Sequence, residues 1–203
     1  VGQFGTRLLG GKDAAQSRYI HTHLTAISKT IFNKMDEPLH NYLDDDGTRI
    51  EPEAYCGLIP MVLVNGTEGI GTGFSTKVPC YNPLDLVSTI REWIANDGEV
   101  LLEDPDDGSI TSILPPLVPW YRDFKGDIKS DGENRFITKG IVSCVKPSVK
   151  EVTELPIGMW TNKFKETCED LISDKKLKSM KNYSTTRDVN FVLTESSDGM
   201  YCN

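Results

Sequence analysis

No apolar run in this 203-residue chain approaches the roughly 18 residues that a membrane span needs, so no membrane partner is expected. Cysteine is sparse and scattered. The five thiols, at 56, 80, 144, 168 and 202, are odd in number and form no CxxC pair, which argues against a zinc ribbon or a secreted disulfide framework and for a reduced intracellular compartment. The two Asn-x-Ser/Thr triplets at Asn65 and Asn182 are then chance matches. Three histidines, at 21, 23 and 40, lack the HExxH spacing, and the run Asp44 to Asp46 lacks the alternation of a calcium loop. No metal site is expected within the chain itself. There is also no initiator Met and no basic-then-apolar leader before Val1, so the expectation is a piece of a longer protein.

Positive charge is short overall, with 22 basic against 30 acidic side chains and a formal net charge of -8, which argues against polyanion binding by the whole surface. Its distribution is uneven. Residues 1 to 30 hold four basic side chains (Arg7, Lys12, Arg18, Lys29) and one acidic, Asp13, a net of +3. Residues 31 to 80 carry a net of -5, residues 81 to 140 a net of -6, and the remainder balances. Any contact with an acidic partner is therefore expected to begin in the first 30 residues.

The pattern along the chain predicts mixed α and β structure without internal repeats. After a Gly-rich opening, VGQFGTRLLGGK, the spacing of Leu24, Ile27, Ile31 and Phe32 predicts a helix capped by Thr22. The apolar run Leu58 to Val64 predicts a buried strand, followed by NGTEGIGTG with glycines at 66, 69, 71 and 73. Asn82 as N-cap, Pro83 at the first helical position and Asp85 in the first turn predict a helix with Leu86, Ile90, Trp93 and Ile94 on one stripe, ending at Gly98. The segment EDPDDGS that follows reads as an acidic loop. Strands are predicted at 136–145, 149–155 and 189–194, and a helix over 162–172 turns Phe164, Cys168, Leu171 and Ile172 inward.

The glycines suggest nucleotide binding, and both standard forms fail. A phosphate loop needs Gly where Thr6 stands and Ser or Thr where Asp13 stands, and neither Gly69 nor Gly71 opens a complete GxGxxG. The segment Gly10 to Tyr19 is more informative. Its cations at 12 and 18, with Arg7 just before it, alternate with small residues, so both main chain and positive charge can approach phosphates. Tyr19 directly follows Arg18. Such an aromatic is ordinarily a cap or a packing residue; the functional alternative is a nucleophile, since a phenolate can attack a phosphodiester if a cation steadies the charge, and the planar fork of Arg18 suits that task. The resulting phosphotyrosine would keep the bond energy and make a strand break reversible. Ile70, bracketed by Gly69 and Gly71, is either a core filler or an apolar wedge that enters a base step and kinks duplex DNA.

Five ordered blocks then carry a resemblance: QFGTRLLGGKDAAQSRYI at 3–20, IPMVLVNGTEGIGTGFST at 59–76, NPLDLVSTIR at 82–91, PWYRDFKGDI at 119–128 and TELPIGMWT at 153–161. With them the chain resembles the breakage-reunion core of the eukaryotic-type (or large DNA virus) type IIA DNA topoisomerases over nearly all of its length. The resemblance implies an α+β fold in two parts: residues 1–59 as the C-terminal part of a winged-helix domain, and 60–203 as an incomplete mixed α/β tower domain. It implies Tyr19 as the residue that becomes joined to the 5' phosphate, Arg18 as its companion, Ile70 as the DNA-bending residue, and Arg7 and Lys12 as phosphate contacts. Ala54 and Phe74 stand where the family often has Trp, and Gly158 with Met159 where relatives often carry Arg.

The resemblance also implies partners and cofactors beyond these residues: double-stranded DNA, a second copy in a homodimer, ATP bound in a separate N-terminal domain, and Mg2+ on an acidic cluster of another domain. A nuclear location follows, or a cytoplasmic factory for a viral member. The 203 residues alone are expected not to cut DNA. Two further readings stand beside this one: a non-catalytic DNA-bending module in which Tyr19 merely packs, and an inert scaffold piece.

Overall fold

The computed structural model describes residues 1–99, 101–103, 110–112, 114–132 and 135–196. The acidic loop expected at 103–109 therefore falls mostly, at 104–109, outside the described residues. The fold is mixed α and β, as expected, and the chain divides into two compact units, His23–Arg122 and Val1–Thr22 together with Asp123–Asn203. These units do not share the 59/60 boundary anticipated from the resemblance.

In the unit His23–Arg122 the first helix, α1 (Ser28–Ile31), is a single turn, not the longer helix expected from Thr22. Ile27, not Thr22, stands at its N-cap, and Leu24 and Ile27 are exposed. The start of the apolar stripe is thus left uncovered, and a short helix without a buried face is not stable in water. Asn33 then accepts from the Met35 N–H and opens a 3-10 turn, Lys34–Leu39, that contains Pro38. A hairpin of β1 (Tyr42–Asp45) and β2 (Thr48–Pro52) follows.

The run 58–64 is likewise a correction: it holds the short helix α2 (Met61–Asn65) where a buried strand was expected. Pro60 precedes the helix and its carbonyl accepts from Leu63 N–H at 2.9 Å, so a residue that lacks a donor stands where none is needed. Short apolar runs do not distinguish strand from helix, and here the proline decides. The glycine-rich stretch forms a tight hairpin, β3 (Thr67–Gly71) against β4 (Phe74–Val78), turning through Thr72 and Gly73.

Helix α3 (Pro83–Ala95) starts as expected: Asn82 Oδ1 accepts from Leu84 N–H at 3.0 Å, with Pro83 and Asp85 in the first turn. At its other end Gly98 N–H donates to Trp93 O, and the Trp93 indole donates back to Gly98 O at 2.7 Å. Leu86 is buried, whereas Trp93 and Ile94 at the far end of the stripe are exposed. Strands β5 (Leu101–Glu103) and β6 (Ile110–Ser112) pair after it.

The second unit carries the core. After the hairpin of β7 (Asp127–Ser130) and β8 (Phe136–Lys139) come β9 (Ile141–Lys146), β10 (Val149–Glu154), helix α4 (Thr161–Ser173), β11 (Leu177–Asn182) and β12 (Phe191–Glu195). Strands 9 to 12 form one antiparallel sheet in the order β11-β12-β10-β9. The strand expected over 136–145 is in fact two, broken at Gly140, where a Cβ would stand 2.2 Å from Glu154 O. Strand β11, absent from the expectations, is a lysine-bearing edge strand, a composition that discourages further pairing.

Val152, Leu155, Val189 and Phe191 are buried together, with Met159, Phe164, Met180 and Leu193 packed on them. Helix α4 meets the sheet through Phe164, whose ring lies edge-on to Phe191 with centroids 5.0 Å apart, and through buried Cys168, the face the sequence periodicity indicates.

Candidate nucleic-acid interface

The opening segment, 1–22, belongs to the unit built on this sheet. Its path is set by a brace and four fastenings. In the brace, Asp13 accepts from the Thr6 hydroxyl at 2.7 Å, from Thr6 N–H at 2.9 Å and from Gln3 Nε2 at 3.3 Å. Those bonds, the Thr6 hydroxyl foremost, hold the Asp13 carboxyl below its usual range because they stabilise the charged form. Gly11 N–H also donates to Thr6 O at 3.0 Å, closing the loop.

The fastenings run to the sheet and helix. Arg7 N–H donates to Thr186 O at 3.1 Å, and Asn162 N–H, in the first turn of α4, donates to Leu8 O at 3.0 Å. Gly10, with φ +63, presses its main chain against Trp160, so close that a Cβ would stand 2.1 Å from the indole. Inside, the Arg7 guanidinium is ion-paired with Glu154, which is 2% exposed. Glu154 also accepts from Leu155 N–H at 3.0 Å and Lys125 N–H at 3.2 Å.

From this braced loop the chain leaves through Gln16, whose extended ψ of 142° turns it into the 3-10 turn Ser17–Tyr19. Tyr19 N–H donates to Gln16 O at 2.9 Å and Ile20 N–H to Ser17 O at 3.1 Å. The turn presents Arg18 and Tyr19 to solvent, with Tyr19 65% exposed. Among the described residues neither side chain has a hydrogen-bonding or ionic partner. A phenol and a neighbouring residue's guanidinium that are both exposed, and without partners among the described residues, can receive a phosphate group without first breaking internal contacts, and Lys12 is exposed as well.

Of the residues singled out from sequence, Arg7, Lys12, Arg18 and Tyr19 thus lie on one braced segment of one unit. Arg7 differs from the others in turning its guanidinium inward to Glu154. Ile70 belongs to the other unit, on the last turn-side residues of β3, paired with Ser75 and 93% exposed. A core role within that unit does not fit such exposure. Glu154, Asp13 and Trp160 were not anticipated as parts of the site. Glu154 and Trp160 fall in the block TELPIGMWT, but nothing in that block says what they touch.

Among the described residues no group of three or more His, Cys, Asp or Glu side chains is placed to hold a metal ion, and no helix is long and apolar enough to cross a membrane. His40 lies instead between the rings of Tyr42 and Tyr55, at centroid distances of 6.1 and 5.5 Å.

A braced glycine loop leading to an exposed Arg-Tyr pair, on a four-stranded antiparallel sheet, defines a class. Residues 1–201 match the DNA gyrase/topoisomerase IV A-subunit family, and the chain belongs to that family. The more particular resemblance, to eukaryotic DNA topoisomerase II, is shown by its relatives. The chain is 41% identical over 195 residues to DNA topoisomerase 2 of Plasmodium falciparum, covering 95% of this chain and 13% of that protein. It is 41% identical over 192 residues to the mitochondrial DNA topoisomerase 2 of Dictyostelium discoideum, covering 95% and 14%. The structure is similar to the crystal structure of the Plasmodium falciparum topoisomerase II DNA-binding, cleavage and re-ligation domain, with a TM-score of 0.81 and 40% identity over 96% of this chain and 25% of that one. This chain therefore spans about an eighth of the length of those two relatives.

Proposed function

We propose that these residues are part of the DNA breakage and rejoining core of a type II DNA topoisomerase, with Tyr19 as nucleophile. The observation that carries the reading is the phenol of Tyr19, exposed and unpartnered among the described residues, next in sequence to Arg18 on the turn that leaves the braced loop. In the reaction the Tyr19 oxygen attacks a backbone phosphorus of duplex DNA, the bond to the 3' oxygen breaks, and the 5' phosphate stays on the tyrosine. The phenolic proton leaves to a base and the departing 3' oxygen takes up a proton. Rejoining is the reverse, with the 3' hydroxyl displacing the tyrosine. Arg18 steadies the extra negative charge on the phosphoryl oxygens as it develops, and Lys12 contacts a neighbouring phosphate.

Ile70, on a narrow glycine hairpin, enters a base step and bends the duplex. The domain reading is that 1–59 closes a winged-helix domain and 60–203 begins the tower. The whole protein works as a homodimer in the nucleus, or in a viral factory, with ATP hydrolysis driving passage of a second duplex. Mg2+ and ATP belong to parts of the protein other than these residues, which present no fitting ligand set among those described, and no step here is routed through them.

Replacing Tyr19 by Phe in the full-length protein abolishes the covalent protein-DNA adduct while leaving DNA affinity within about threefold, since the phenol oxygen makes the bond but few of the binding contacts. Adduct at normal yield overturns the assignment. The exposure of Ile70 favours one second reading, a DNA-bending module without chemistry. Both readings give a bent duplex, and only the first gives the adduct.

A further inference from the structure

We propose that Glu154 is a positioning residue for Tyr19, acting through Arg7, and that Arg7 is an internal anchor instead of a DNA contact. The proposal rests on the reading of Tyr19 as nucleophile. Among the described residues Glu154 is the one fully buried ionisable carboxylate, and its oxygens are committed to the Arg7 guanidinium and to the N–H groups of Leu155 and Lys125. A buried carboxylate is tolerated only while paired. If Arg7 swung out to a phosphate, Glu154 would lose its cation in the interior, so the inward geometry resists the switch.

The placement of this pair gives it leverage. Arg7 is where the opening segment first meets the sheet; Leu8 and Gly10 dock on Asn162 and Trp160, the Thr6–Asp13 brace closes the loop between Thr6 and Asp13, and Ala15 N–H donates to Gln3 O at 2.9 Å just before the turn at Ser17. A shift at Arg7 is therefore carried along a stiff loop to the Tyr19 hydroxyl. In-line attack tolerates little error: a misplacement of about 1 Å can cost on the order of a hundredfold in rate. Lys12, exposed on the same loop, is left as its outward cation.

The test uses the full-length enzyme with Glu154→Gln, which keeps the shape and the acceptor but removes the charge, and Arg7→Gln, at a partly exposed site. The expected result for both is a single-turnover cleavage rate at saturating DNA reduced by about tenfold to a hundredfold, with duplex affinity within about threefold of the parent. The slope of log affinity against log salt for Arg7→Gln should equal the parent's; a phosphate contact would instead lower its magnitude by about 0.9 per site. Thermal unfolding above the assay temperature separates positioning from collapse. Normal cleavage in both variants overturns the proposal, as does a reduced salt slope for Arg7→Gln, or unfolding of both variants at assay temperature. Adduct surviving in Tyr19→Phe would sink the nucleophile reading alone, whatever the two anchor variants do.

Discussion

Asp13 shows how one side chain organises the candidate interface. It lies in the only stretch with an excess of positive charge, yet its carboxylate makes no ion pair among the described residues; it is spent on Thr6 and Gln3. Because its folded pKa lies below the ordinary value of 3.8, the charged form is favoured by folding. The sign follows: the stabilisation is fully present above pH 3.8 and fades as pH falls from there through the lowered folded value. Asp13→Asn should therefore flatten the acid-side loss of stability of the opening segment, read by hydrogen exchange of the Thr6 and Gly11 amides across that window. Equal acid sensitivity in parent and variant would contradict the brace. Arg18 and Tyr19 are the opposite kind of residue, with no side-chain hydrogen bond or ion pair among the described residues, and Arg7 stands between, a cation whose place in the sequence suggests a surface role and whose guanidinium points inside.

Elements in this chain form where local signals and tertiary burial agree. Helix α3 has a complete start signal in Asn82, Pro83 and Asp85, and it forms where that signal says. Helix α4 has no side-chain cap, and packing of Phe164 and Cys168 on the sheet holds it instead. The glycine loop of the opening segment is the sharper case, because two adjacent glycines have positive φ in different surroundings. Gly10 (φ +63) is closed in by Trp160, while a Cβ placed on Gly11 (φ +82) would meet nothing within 4 Å. Gly11→Ala should cost only the backbone penalty of about 1–2 kcal/mol. Gly10→Ala adds displacement of an indole to that penalty and should lower the urea midpoint distinctly further, with the loss recovered in part by Trp160→Ala. Equal costs at the two positions would mean the Gly10–Trp160 contact does not fasten the loop.

At the scale of the molecule, the thiols report on the packing of the sheet unit. Cys168 is 1% exposed and its thiol is pushed up by burial, with Glu169 adding to it, whereas Cys56 and Cys144 are exposed. Iodoacetamide near neutral pH should label Cys56 and Cys144 promptly and Cys168 only at the rate at which the core opens. Because burial disfavours the Cys168 thiolate, the fold should lose stability as pH rises from the ordinary value of 9.0 through the raised folded value. Prompt labelling of Cys168 in the folded protein would contradict the docking of α4 on the sheet.

Much of this was legible before any coordinates. The inward face of α4, strands 10 and 12 and the start of α3 follow from patterns a few residues long, because caps and periodicity act over a turn or a strand, whereas the proposed role of Arg18 and Tyr19 rests on the longer blocks that carry the resemblance. The helix from Thr22 failed because an apolar stripe becomes a long helix only if something covers it, and the strand over 58–64 because a short apolar run fits either element until Pro60 decides. What the tertiary structure alone decided is the set of long-range fastenings, above all Arg7 to Glu154 across 147 positions and Gly10 to Trp160. Residue identity determined which groups were available for chemistry; burial, which depends on every element packing at once, decided which of those cations faces solvent and which is held inside.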